Sequence, residues 1–176
     1  MIGPRLKLRV VSSLVVVGFV VALVAYWPHV SPSVLHFKVQ LLGPRFVYRS
    51  LVPYYDRWDI VLASVEAGDP SWLRVAVDLY PALDTHPGEE MIEVVSTVIE
   101  RNPVSAISLL LPRYGPGVVC GGVGMEDFPA LAAAEKRLGI VQEYARRAEA
   151  PRDVSACIDN AQELLKQATT VEQRVH

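Results

Sequence analysis

An uncharged run from Val10 to Trp27, VVSSLVVVGFVVALVAYW, constrains this chain more than any other feature, because a helix that is apolar all round has no face to give to water. Its 18 residues rise about 27 Å as a helix, close to the roughly 30 Å of a bilayer's hydrocarbon core. Tyr26 and Trp27 close the run where an interfacial aromatic belt belongs, and Pro28 stops the helix. Arg5, Lys7 and Arg9 all precede it, so the positive-inside rule holds the N-terminus in the cytoplasm and sends everything after Pro28 across the membrane. Residues 1–27 are therefore read as a membrane anchor, with residues 10–27 in lipid. A cleaved signal peptide is the competing reading, favoured by the cations and the small residues near Ala22 and Ala25. Against it, Leu23 stands where a small residue is preferred and the run exceeds a usual signal core. Both readings export the remainder, with the periplasm as the expected compartment.

Export makes the two cysteines, Cys120 and Cys157, a disulfide in expectation, since an oxidising compartment pairs thiols. A closed loop of 37 residues corresponds to about 4 kcal/mol at most of restricted unfolded-state freedom. Neither cysteine has a second Cys or a His at ligand spacing, so no metal site is expected.

Beyond the anchor, residues 28–53 form a juxtamembrane connection punctuated by Pro28, Pro32, Pro44 and Pro53. Leu35, Phe37, Val39 and Leu41 alternate like a strand, yet Val34, Phe37, Leu41 and Leu42 share one helical face. A lone strand would lack a partner, which favours a short helix packed on the domain.

From 54 to 168 the apolar spacing is that of buried helix faces. Trp58, Val61, Leu62 and Val65 make a first stripe; Trp72, Val75, Ala76 and Leu79 a second. Met91, Val94, Val95 and Val98 make a third; Ile107, Leu110, Leu111 and Tyr114 a fourth. Asp69-Pro70 and Asn102-Pro103 mark helix starts, each with a capping side chain followed by proline at the first helical position. They lie 33 residues apart, which predicts two stacked helical hairpins. The glycine-rich stretch from Gly115 to Pro129 reads as a loop. Two further helices follow, capped by Asp127 and Asp153; the second points Val154, Cys157, Ile158, Ala161, Leu164 and Leu165 inward. Residues 169–176 carry no stripe and read as a frayed tail. The predicted class is all-α: an anchor, then about six helices.

The chemistry-bearing residues do not assemble into a recognisable constellation. The formal net charge of -2 divides into +3 over the first 27 residues and -5 over the rest, and an acidic domain repels phosphate backbones, which disfavours nucleic-acid binding. Gly115–Gly124 lacks the lysine ending of a nucleotide loop, no HExxH or GxSxG is present, and no cofactor is expected. His86, ahead of Glu89, Glu90 and Glu93, is the one histidine placed where a site could form, although those carboxylates suit a helix N-terminus. Trp58 and Trp72 fall on core stripes, whereas Tyr54 and Tyr55 precede one and are candidate partner contacts.

These features suggest a membrane-tethered extracytoplasmic module for protein–protein interaction, docking an envelope protein or a second copy of itself. An envelope immunity protein that occupies a toxin is one alternative, and an enzyme whose site is dispersed along the sequence is another.

Overall fold

The computed structural model describes residues 30–83, 86–122, 131–147 and 154–175, which are mostly helical with no strand among them. In chain order the helices are α1 (Pro32–Leu42), α2 (Pro44–Leu51), α3 (Tyr55–Glu66), α4 (Pro70–Leu79), α5 (His86–Arg101), α6 (Pro103–Ser105), α7 (Leu111–Val119), α8 (Leu131–Ala145) and α9 (Val154–Val175). A 3₁₀ turn at Tyr80–Ala82 follows α4, and a π-helical stretch, Ala106–Leu110, joins α6 to α7. The expected span at 10–27, with Tyr26 and Trp27, lies outside the described residues, as do the Asp127 and Asp153 caps. Among the described residues no helix is long and apolar enough to cross a membrane.

The ambiguous stretch before residue 53 is helical and part of the core. Leu35 and Val39 of α1 and Val47, Tyr48 and Leu51 of α2 are buried, and α1 packs on α4 while α2 meets α3 and α4. Helical geometry separates what strand alternation would have kept together: Leu35 and Val39 point inward, Phe37 and Leu41 outward. Lys38 is also buried, and desolvation, with Arg57 nearby, pushes its ammonium below the ordinary lysine range.

The four central stripes become the centre of the core. Trp58, Val61, Val65, Val75, Ala76, Leu79, Met91, Val95, Val98, Ile107, Leu110 and Tyr114 all join one buried cluster. Both predicted caps form: Asp69 accepts the Ser71 N–H at 2.7 Å, and Asn102 accepts the Ser105 N–H at 3.1 Å. The two turns they open are pressed together. Asn102 Nδ2 donates to the Gly68 carbonyl at 2.9 Å, and Arg101 pairs with Glu66. Gly68 has φ 77°, and a Cβ there would sit 3.0 Å from Asn102 Cβ, so the close approach requires glycine twice over. α3 consequently packs along α5, and α4 along the π-helical stretch.

The fourth stripe runs further than expected. Pro112 cannot donate to the carbonyl four residues back and its ring crowds it, and the chain widens there into the π-helical stretch, with the Leu111 N–H reaching Ala106 O. Gly115, at φ 78°, then kinks the rod without ending it, because Pro116 restarts a helical turn that carries the chain to Val119. The expected loop therefore begins after Cys120.

The last two helices form their own hairpin. Ala134 of α8 and Leu164 and Ala168 of α9 make a small separate cluster, in which the two alanines allow close approach. α9 does not fray at residue 169 but continues to Val175, with Thr169 and Thr170 donating back to Leu165 O and Lys166 O. Cys120 at the end of α7 and Cys157 in α9 lie at disulfide distance, Cα–Cα 5.2 Å, and both are fully buried. That pair ties the terminal hairpin to the end of α7.

Candidate functional site

A groove of about 380 Å³ lies between the start of α6 and the outer face of α8. It exists because α8 is held on its inner face and lacks a side chain at one position of its outer face. On its inner face Arg137, only 1% exposed, reaches Glu100 of α5 at 2.9 Å, which fixes α8 against α5. On its outer face Gly139 leaves a gap, and a Cβ built there would meet nothing within 4 Å. Pro103, Ile140 and Tyr144 give the groove an apolar floor; Lys136, Glu143 and Arg147 give it a charged rim. Two of the rim charges are paired with residues outside the groove, Lys136 with Glu100 at 3.4 Å and Glu143 with Arg146 at 3.1 Å.

This composition can receive an apolar side chain and orient flanking polar groups around it. The lining holds no histidine, cysteine or serine that could act as a nucleophile or base. Among the described residues no cluster of His, Cys, Asp and Glu is arranged to hold a metal ion.

The residues singled out in the sequence are distributed elsewhere. Tyr54 and Tyr55 are exposed at the start of α3, the second at 77%, and Arg57 lies over the Tyr54 ring at 4.5 Å. Neither lines the groove. Trp58 is in the core, edge-on to Tyr48 at 5.5 Å, and its indole N–H donates to Glu90 at 2.7 Å. The glutamate cluster is thereby divided: Glu90 is an acceptor for a core indole, while Glu89 and Glu93 are exposed. His86 opens α5, with its side chain outside the described residues. Asp56 and Asp59 both lie exposed on α3, consistent with solvated roles.

The groove itself was not read from the sequence. Its one signal is Gly139, an isolated glycine inside a helical pattern, which marks a position where a side chain is absent for a packing or binding reason.

No protein-family model, curated protein or solved structure matches this chain.

Proposed function

We propose that this protein is a membrane-tethered helical module that stands on the oxidising side of the membrane and docks a protein partner through the α6–α8 groove. Residues 10–27 are the tether, and the domain from α1 to α9 is the exported part. The observation that carries the docking reading is the open, apolar-floored groove beneath Gly139, built on a helix held in place by the ion pair of buried Arg137 with Glu100. A rigid groove loses little freedom on binding, which is the requirement for capturing a partner's side chain or helix. The buried Cys120–Cys157 pair supports the extracytoplasmic location, since such pairs persist where thiols are oxidised.

The test separates binding from folding. Gly139→Arg fills the groove without a steric conflict at its Cβ, and replacing a helix-interior glycine adds about 0.5 to 1 kcal/mol of helix stability. Crosslinking in intact cells followed by non-reducing recovery from membranes should yield a complex for the unsubstituted chain and lose it for the variant, with the variant's Tm unchanged or raised. Equal recovery from both would exclude the groove, and recovery of uncomplexed protein alone would end the docking reading.

A further inference from the structure

Charge and exposed apolar area are segregated toward the end of the domain that follows the tether. Residues 28–55, the part of the exported domain next to the tether, contain three basic side chains, Lys38, Arg45 and Arg49, and no acidic one; residues 56–176 contain eleven basic and nineteen acidic, a net of -8. Five of the nine large hydrophobic side chains exposed among the described residues, Phe37, Leu41, Phe46, Tyr54 and Tyr55, fall within one stretch of nineteen positions. Phe37 and Leu41 are one turn apart on the outer face of α1, at 56% and 48% exposure. Phe46, at 50%, stands on the outer face of α2 between the exposed Arg45 and Arg49. Tyr54 and Tyr55 follow directly, aromatic residues of the kind that settle at the level of lipid headgroups.

Chain length brings this face to the bilayer. From Trp27 to Pro32 there are five residues, which extend at most about 18 Å. α1 adds 11 residues, about 16 Å of helix, so α1 and α2 cannot move far from the end of the tether.

Resting on the reading of residues 10–27 as a membrane tether, we infer that the outer faces of α1 and α2 dock flat on the anionic phospholipid surface of the membrane that holds the tether. Phe37, Leu41 and Phe46 enter the headgroup and upper acyl region, while Arg45 and Arg49 extend to lipid phosphates with their stems along apolar surface. The acidic body of the domain is repelled from the same surface and points outward, which orients the α6–α8 groove by electrostatics as well as by the tether. A second copy of the chain is the less suited occupant, because bringing two such faces together would set Arg45 and Arg49 of one against those of the other.

The experiment uses the full chain in nanodiscs whose lipids carry brominated acyl chains, which quench a nearby indole. Phe46→Trp adds an indole on the docking face; Val171→Trp adds a control on α9 at a side chain 44% exposed. Brominated phosphatidylglycerol should quench the added emission at 46 and spare it at 171. Phosphatidylcholine should quench position 46 far less. Arg45→Gln with Arg49→Gln should lower the docked-to-undocked ratio roughly thirtyfold, since each cation near an anionic surface contributes about a factor of five. Unquenched emission at 46, with the unsubstituted chain still held by alkaline-resistant insertion and quenched at Trp27, would overturn the docking inference and leave the tether standing. Unquenched emission accompanied by two chains per disc would assign the face to a second copy and also overturn it. A chain that washes off the nanodisc would refute the tether, and the docking with it.

Discussion

Replacing Tyr114 by phenylalanine should lower stability at neutral pH and raise it in alkali. In the fold the phenol is buried, donates to Ala76 O at 2.8 Å and lies edge-on to Tyr80 at 4.7 Å. The Ala76 carbonyl also accepts the Tyr80 N–H, so Tyr114→Phe orphans no acceptor and creates no sizeable cavity. The cost at pH 7 is then one net hydrogen bond, about 1 kcal/mol. Burial, with Tyr80 beside it, raises the folded phenol's pKa far above the ordinary tyrosine range, whereas the unfolded phenol ionises near pH 10. Stability from this group is therefore fully present below about pH 10 and declines above it, by about 1.4 kcal/mol per pH unit. The two proteins differ by this one hydroxyl, so the difference between their stability curves reports on Tyr114 together with its neighbour Tyr80. The two stability curves should cross near pH 10.6, where the proton-linked loss equals about 1 kcal/mol, and by about pH 11.5 the variant should be ahead by about 1 kcal/mol. Urea unfolding followed by far-ultraviolet circular dichroism at pH 7, 10 and 11.5 measures this. A gap that stays constant with pH would refute the burial argument.

Asn102→Ala removes both the Ser105 cap and the bond to Gly68 O, and should cost about 2 kcal/mol, a fall in Tm of roughly 4 to 8 °C by calorimetry; Asn102→Asp keeps the cap alone and should lose less. Cys120→Ala with Cys157→Ala should lower stability by about 2 to 4 kcal/mol, and mild reductant should act on the unsubstituted chain only after the buried pair opens, so that hydrogen exchange in α9 and thiol release rise together.

Local pattern carried most of the helical framework into the sequence. Stripes such as Ile107, Leu110, Leu111 and Tyr114 are buried throughout, because an amphipathic face has one energetically sensible direction to turn. The Asp69 and Asn102 caps were equally legible, since each depends on residues adjacent in the chain. What depended on tertiary contact was not. The pressing of Asn102 onto Gly68 spans 34 positions, and the 33-residue spacing of the two caps did not disclose that contact. The tail after Ala168 lacks an apolar stripe, yet the helix propagates through it because continuing an existing helix needs no new nucleus. Nothing in the local sequence sets Arg137 apart from the other charges of α8, and only the position of Glu100 on another helix makes it a buried clamp. The groove was illegible for the same reason: it is the absence of a side chain at Gly139 beside Pro103, 36 positions earlier.

The claim on which the functional reading rests is that the stretch around Phe19 lies in lipid and carries the domain across. A reporter enzyme that becomes active only after export, fused behind His176, tests it most directly in intact cells. The account predicts an active reporter and an oxidised Cys120–Cys157 pair in membranes that resist alkaline washing. A reporter inactive outside and active only in the cytosol, with both cysteines recovered as free thiols, would contradict it.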